Sequence, residues 1–176
     1  GPQVAEDGHQ DVEDGVVEVG FDIEPTDRSR AVEMSREHRA EAQSLHSVLT
    51  PDTIAVVGAS RRTDTFGGQL LDRLLESGFA GRVVPVNPSS KKVRRLTCYP
   101  TVRDVPGTVD LAIVAVPATA VPGVVADCAA KGVHGLVVIS GGFAELGKEG
   151  AARQREMVAA ARHHGMRIIG PNCVGM

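Results

Sequence analysis

The sequence predicts an α/β fold, a doubly wound parallel sheet, over residues 53–169 of a chain of 176. Short runs of β-branched and apolar residues alternate there with longer segments of helical periodicity, and glycine or proline follows most of the runs. Such alternation is typical of parallel strands joined by right-handed crossovers. Charge is nearly balanced, with 19 Lys and Arg against 22 Asp and Glu, and the five aromatic residues include no Trp. This composition argues against a nucleic-acid-binding surface.

Residues 53–75 predict the first strand, a tight glycine turn and the first helix. Ile54–Val57 is an apolar, β-branched run of the kind found in strands covered on both faces, and Gly58 follows it. The helix opens near Gly67, and its leucines form one apolar stripe. Because N–H groups exposed at such a turn and helix start attract phosphates, this segment predicts a phosphate-bearing ligand.

Two departures from the GxGxxG dinucleotide motif argue against NAD as that ligand. Ser60 occupies the position of the second glycine. The second strand, Val83–Val86, ends in Asn87 and Pro88, whereas NAD binding calls for an acidic residue that holds the ribose hydroxyl. We keep an NAD-binding sensor as the alternative function, because it would use the same kind of sheet. A dehydrogenase fragment ranks below it.

A basic cluster follows the second strand, with Lys91, Lys92, Arg94 and Arg95 inside five residues. It is either a solvated loop or a clamp for a phosphorylated ligand. Its place beyond the carboxyl end of a strand favours the clamp, because ligands of open α/β sheets bind at that edge.

The remaining elements continue the alternation of strands and helices. They are predicted as a short third strand at Leu96–Tyr99, a central strand ended by Pro117, a helix at Thr119–Lys131, a strand at Leu136–Ser140, a helix at Glu149–His164 and a last strand at Arg167–Ile169. The strand order 3-2-1-4-5-6 of a Rossmann-like sheet follows. It opens a crevice between the first and fourth strands, which the segments at 58, 87–88, 117 and 141–142 would face.

Residues 1–24 predict an acidic tail that is largely disordered, because eight acidic residues and no Lys or Arg occupy positions 3–24. Gly15–Ile23 alternates apolar and polar residues and predicts one strand. Since no hairpin partner is apparent nearby, we interpret that strand as the end of a preceding domain. Residues 25–50 predict a charged linker helix that docks through Leu45, Val48 and Leu49.

Cys98, Cys128 and Cys173 are odd in number and widely spaced, so neither a disulfide framework nor a zinc site is predicted. Cys128 lies on an apolar helix face and is predicted to be a small buried residue. No apolar run approaches 18 residues, which predicts a soluble, cytoplasmic protein without a membrane partner.

Five motifs in order resemble one family, the CoA-binding domain of the NDP-forming acyl-CoA synthetases, which includes the succinyl-CoA synthetase alpha subunit. They are GAS at 58–60, VNP at 86–88, VDLAI at 109–113 before Val116-Pro117, SGGFAE at 140–145 and IGPNCVG at 169–175. The resemblance covers residues 47–176, and we place the domain itself at 51–176.

The resemblance implies that CoA or acetyl-CoA lies across the carboxyl ends of the strands. The implied contacts are Gly58, Ala59, Ser60 and Arg61 at the phosphates, Asn87, Pro88 and Lys91 at the nucleotide half, Val116 and Pro117 at the adenine or pantetheine, Ser140, Gly141 and Gly142 along the pantetheine arm, and Asn172 in the last loop. Arg62 and Lys92 are either extra phosphate partners or side chains that point into water.

The resemblance also implies partners. In this family acyl transfer depends on a phosphorylated histidine in a following domain and on an ATP-grasp unit, and this sequence matches neither. The chain is therefore expected to bind CoA without completing a ligase cycle, and no catalytic residue is predicted. Residues 18–26 are similar to the exit from a GNAT-type lysine acetyltransferase domain, and a short synthetase leader is the alternative.

Overall fold

The computed structural model describes the backbone of residues 9–13 and 16–20 and the complete residues 48–173. These residues fall into two separate units, a hairpin within residues 1–40 and an α/β domain within residues 41–176.

The hairpin joins β1 (His9–Glu13) to β2 (Val16–Gly20) in antiparallel register, with Glu13 opposite Val16. The prediction of a lone strand without a neighbouring partner is therefore wrong, and β1 is a strand where we expected no regular structure. The signal was the Asp14-Gly15 pair, because Asp-Gly between two alternating segments favours a two-residue hairpin turn. The predicted linker helix before residue 48 lies outside the described residues.

The α/β domain alternates strands and helices as predicted. In chain order its elements are β3 (Thr53–Val57), α1 (Phe66–Glu76), β4 (Arg82–Val86), β5 (Lys92–Val93), β6 (Leu96–Thr97), β7 (Leu111–Val114), α2 (Val121–Lys131), β8 (Gly135–Val138), α3 (Lys148–His163) and β9 (Arg167–Ile169). Five strands pair in parallel in the order β4-β3-β7-β8-β9, which confirms the predicted α/β, Rossmann-like sheet.

The two faces of the sheet are covered by different helices, because successive side chains of a strand point to opposite faces. Ala55 and Val57 of β3 share a core with α2 and α3. Ile54 and Val56 pack on the other side with Leu71 of α1. Every residue of β3, β7 and β8 is buried, which explains their continuous apolar sequences.

The predicted third parallel strand is wrong. Leu96–Thr97 pairs antiparallel with Lys92–Val93 in a small hairpin, and from this segment Tyr99 makes a single parallel bridge to Val86. The physical reason is local: a two-residue left-handed turn folds the segment back on itself before it can extend along β4. The crevice between β3 and β7 keeps its predicted place, because the strand order on both sides of it is unchanged.

The end of the linker helix docks in part as predicted. Val48 is buried, and its side chain lies so close to Gly135 that a Cβ atom there would press against its methyl group. Leu49 is exposed, in contrast to the prediction, and Leu45 lies outside the described residues.

Within residues 48–173 and the hairpin, no helix is long and apolar enough to cross a membrane. No group of three His, Cys, Asp or Glu side chains in the same residues could hold a metal ion. Cys128 is buried on α2, as predicted, and burial raises the pKa of its thiol to about 12. It is therefore a packing residue and is protonated at neutral pH.

Candidate ligand-binding site

Two cavities lie side by side at the carboxyl ends of the parallel strands, where the order reverses between β3 and β7. Both are bordered by Ala115 and Val116 at the end of β7. The β4-side cavity, about 490 Å³, is lined by the ends of β3 and β4, by residues 100–102 and by α2. The β8-side cavity, about 420 Å³, is lined by Phe66, Ile139, Ser140, Gly141, Asn172 and Cys173 in addition to the shared pair. Ligands of open α/β sheets bind at this edge.

The glycine corner, residues 58–62, brings three backbone segments together. Gly58 has a φ of 90°, a conformation that favours glycine, and a Cβ atom there would overlap the carbonyl oxygen of Ala115. Added Cβ atoms on Gly67 and Gly68 would overlap the carbonyl oxygens of Gly58 and Arg62. Glycine is thus required wherever the corner meets β7 and the start of α1.

Side chains within this segment hold the glycine corner in shape. The Ser60 hydroxyl accepts a hydrogen bond from the Arg62 N–H at 3.1 Å, which leaves its own O–H to donate elsewhere. Thr65 caps α1, because its hydroxyl accepts from the Gly68 N–H at 3.2 Å and donates to the Arg62 carbonyl at 3.0 Å. Ala59 is fully buried beneath the turn.

Asn87 connects the glycine corner to the end of β4. Its side-chain nitrogen donates to the Ala59 carbonyl at 2.8 Å, and its side-chain oxygen accepts from the Ser89 N–H at 2.8 Å. Both ends of the amide are used within the protein. Asn87 therefore shapes the β4-side cavity, which it also lines.

Two of the predicted cations are already paired. Arg62 lies 2.5 Å from the carboxylate of Asp64, and both side chains are largely exposed. Arg94 makes a bidentate pair with Asp72 at 2.6 and 2.9 Å and donates to the Arg61 carbonyl at 2.7 Å. The Arg94 guanidinium lowers the pKa of Asp72, mainly through these hydrogen bonds.

The other basic side chains near the glycine corner are Arg61, Lys91, Lys92 and Arg95. All four are exposed, and none has an ion-pair partner among the described residues. They remain available to an anionic ligand.

We expect Asp72→Asn to lower the melting temperature at pH 7 and to matter less in acid. The folded-state pKa of Asp72 lies below its unfolded value of about 3.9, so its pairing stabilises the fold above that pH. This stabilisation is lost as the pH falls through the folded pKa. Thermal unfolding of both proteins from pH 7 to pH 3 should show the difference shrinking below about pH 4.

Asp64→Asn is the matched control, because its ion pair is more exposed and is expected to contribute less. A melting-temperature difference for Asp72→Asn that grew as the pH fell would contradict the assigned pairing.

Side chains of α3 and of the residues just before it hydrogen-bond to the loop after β8. Arg153 donates to the Gly142 carbonyl at 2.6 Å, and the carboxylate of Glu145 accepts from the Gly142 N–H at 2.5 Å. Hydrogen bonds from backbone N–H groups, that of Gly142 foremost, lower the pKa of Glu145. Ser140 donates to the Val116 carbonyl at 2.5 Å, which ties the ends of β7 and β8 together.

The last loop closes the β8-side cavity. The Asn172 N–H donates to the Ser140 carbonyl at 3.1 Å, and Asn172 adopts a φ of 55°. Its side-chain oxygen would lie 3.8 Å from a Cβ atom on Gly141. Asn172 therefore stands beside the loop after β8.

Most of the predicted site residues meet at this edge of the sheet. Those that line the cavities are Gly58, Asn87, Pro88, Val116, Pro117, Ser140, Gly141 and Asn172. Those that do not are Ala59, Ser60, Arg61, Arg62, Lys91 and Gly142; of these, residues 59–62 belong to the glycine corner.

Sequence reasoning missed the contributions of α2, of Ala120 just before it and of Thr101 between β6 and β7, all of which line the β4-side cavity. The α2 residues are Gly123, Val124 and Asp127. The spacing of three and four residues to Asp127 places these three on one helix face, a signal that was available once the helix was assigned. Phe66, about 60% exposed at the start of α1, was also missed on the β8 side.

Residues 52–176 match the profile of a family described as the CoA binding domain. The chain belongs to this family. An NAD-binding domain is not favoured.

Longer relatives contain the same domain. The chain is 45% identical over 132 residues to acetate–CoA ligase [ADP-forming] II of Archaeoglobus fulgidus, which is 75% of this chain and 20% of that protein. It is 44% identical over 132 residues to the alpha subunit of acetate–CoA ligase [ADP-forming] II of Pyrococcus furiosus, covering 75% of this chain and 29% of the subunit.

A solved structure supports the same assignment. The dinucleotide forming acetyl-coenzyme A synthetase 1 of Ca. Korarchaeum cryptofilum, in complex with phosphate and ADP, has a TM-score of 0.72 and 44% identity. The match covers 74% of this chain and 28% of that one. The CoA-binding domain thus spans less than a third of each of these relatives and is homologous to part of the NDP-forming acyl-CoA synthetases.

Proposed function

We propose that this domain binds CoA across the carboxyl ends of β3, β4, β7 and β8. The supporting observation is that two cavities meet at Ala115 and Val116, with Gly58 of the glycine corner lining one of them and Asn172 of the last loop lining the other. CoA has the matching asymmetry, because its charged nucleotide half continues into a long, nearly neutral pantetheine arm.

The nucleotide half would occupy the β4-side cavity. The apolar walls formed by Val86, Pro88 and Val102 suit a flat base, and Asn87 keeps the adjoining turn in place. The pyrophosphate would approach the glycine corner, where Ser60 has a donor to offer and where Arg61 supplies positive charge, and the exposed Lys91 would flank the nucleotide half.

The pantetheine arm would pass Val116 and enter the β8-side cavity. Ser140 and Asn172 are polar residues of a lining that is otherwise mostly apolar, which fits an arm with two amides separated by methylene groups. The thiol or its acyl group would then lie near Cys173 and Phe66.

We further propose that the parent protein is an NDP-forming acyl-CoA synthetase and that acetyl-CoA is one ligand. The similarity to proteins named acetate–CoA ligases supports this proposal. Its partners would be a phosphohistidine domain and an ATP-grasp domain. The GNAT-type partner and the cytoplasmic location stay predictions.

We expect CoA to raise the melting temperature of the 176-residue chain far more than NAD does at equal concentration. A ligand that binds only the folded state stabilises it by mass action, so CoA at 100 times its Kd should raise the melting temperature by about 5 to 10 °C. Differential scanning fluorimetry with CoA, acetyl-CoA, ADP and NAD measures this. A shift with NAD as large as that with CoA would favour the dinucleotide sensor and contradict the proposal.

A further inference from the structure

The turn that joins β5 to β6 uses residues that its backbone does not favour. Arg94 and Arg95 have φ values of 50° and 67°, so two consecutive residues are left-handed. Hairpin turns of this kind strongly favour Asn-Gly, because side chains other than those of Gly, Asn and Asp are strained there. An arginine at position 94 is therefore not explained by the turn itself.

The Arg94 side chain explains its presence. It reaches away from the hairpin to Asp72 of α1 and to the carbonyl of Arg61 in the glycine corner, with donor–acceptor distances between 2.6 and 2.9 Å. One planar guanidinium thus connects the hairpin, the helix and the corner. The side chain is only about 24% exposed, and its charge is balanced by Asp72.

The hydrogen bond from Arg94 to the glycine corner is made to a backbone peptide group that Ser60 also bonds. The Arg61 carbonyl and the Arg62 N–H belong to the same planar peptide unit. Arg94 bonds its oxygen, and the Ser60 hydroxyl accepts from its N–H. The orientation of this peptide, and with it that of the Ser60 hydroxyl, is therefore fixed from both sides.

We infer that Arg94 is a positioning residue that holds the glycine corner in its ligand-receptive conformation. This role rests on the proposed CoA binding and deepens it. Arg94 acts through the Arg61–Arg62 peptide and not by contact with a phosphate, since its guanidinium is already occupied. Preorganising this turn lowers the cost of ordering it when the ligand binds.

The test compares Arg94→Gly with the wild-type chain by calorimetric titration of CoA, in parallel with thermal unfolding. Glycine suits the left-handed turn, so the substitution relieves backbone strain while it removes all three hydrogen bonds. We expect CoA affinity to fall about tenfold. Arg94→Lys should weaken binding similarly, because a single ammonium cannot reproduce the planar fork, and it serves as the test variant if Arg94→Gly folds poorly.

Two further measurements separate positioning from direct contact. Arg82→Gln is the control variant. It removes the exposed arginine that begins β4 and donates to the Pro106 carbonyl, and CoA affinity should stay within about twofold of wild type. The salt dependence of the CoA Kd should be as steep in the double variant Arg94→Gly/Asp72→Asn, which keeps the net charge of the pair, as in wild type, whereas Lys91→Gln should make it shallower.

Wild-type CoA affinity in folded Arg94→Gly would overturn the inference. A shallower salt dependence in Arg94→Gly/Asp72→Asn would also overturn it, because it would assign Arg94 a direct phosphate contact. Failure of the wild-type chain to bind CoA at all would instead overturn the proposed function, and the positioning role with it.

Discussion

Gly58→Ala is expected to abolish CoA binding and to destabilise the α/β domain by about 2 to 5 kcal/mol. The residue has a φ of 90°, and a methyl group on it would overlap the carbonyl oxygen of Ala115. That oxygen belongs to the backbone of the segment after β7, so it cannot move without separating β7 from β3. Urea unfolding and CoA titration at low temperature measure the two effects.

Gly78→Ala is the matched control for this substitution. Gly78 has a φ of 74°, and an added Cβ atom there would have no neighbour within 4 Å. Its substitution isolates the cost of the left-handed backbone, about 1 kcal/mol, and should leave CoA affinity unchanged. Equal destabilisation by the two substitutions would show that the close approach of Gly58 to the backbone after β7 adds nothing to the loss of stability.

The parallel sheet was predictable because its three central strands, β3, β7 and β8, are buried on both faces. Runs such as Ile54–Val57 are apolar throughout, and glycine marks the turn after several of them. The third strand was not predictable in the same way. Leu96–Thr97 is too short to show a period, and its pairing depends on a left-handed turn of two arginines that no sequence rule anticipates.

The position of the candidate site followed from topology, whereas the roles of its side chains did not. Parallel strands bring their carboxyl ends to one edge, so the motifs after β3, β4, β7 and β8 had to meet there. In the sequence, however, the four positive charges of the basic cluster could not be told apart as phosphate ligands. Only the fold brings Asp72, 22 residues before Arg94, beside that arginine and so separates it from Lys91.

The same argument applies to Asn87. The family resemblance implied a contact of Asn87 with the nucleotide half of CoA, and Asn87 lines the β4-side cavity. Its amide group, however, bonds the Ala59 carbonyl and the Ser89 N–H. The bond to Ala59 joins residues 28 positions apart and is invisible to any local pattern.

Ser60→Glu is expected to weaken CoA binding about 100-fold while the domain keeps its fold. Ser60 is half-buried in the glycine corner, where the proposed pyrophosphate site lies, and its hydroxyl accepts a hydrogen bond from the local Arg62 N–H. A carboxylate there would repel an anionic ligand in a partly desolvated turn. Calorimetric titration of CoA gives the affinity, and circular dichroism checks the fold.

Three substitutions at this position separate charge from size and from the local hydrogen bond. Ser60→Gln has nearly the volume of Ser60→Glu without its charge, and Ser60→Ala removes only the hydroxyl. We expect both to weaken CoA binding by about 3- to 10-fold, because each loses a single hydrogen bond. If Ser60→Glu and Ser60→Gln weakened binding equally, steric exclusion would account for the loss. Undiminished affinity in folded Ser60→Glu would place the phosphates away from the glycine corner, beside Lys91, Lys92 and Arg95, because those cations are exposed at the same edge of the sheet.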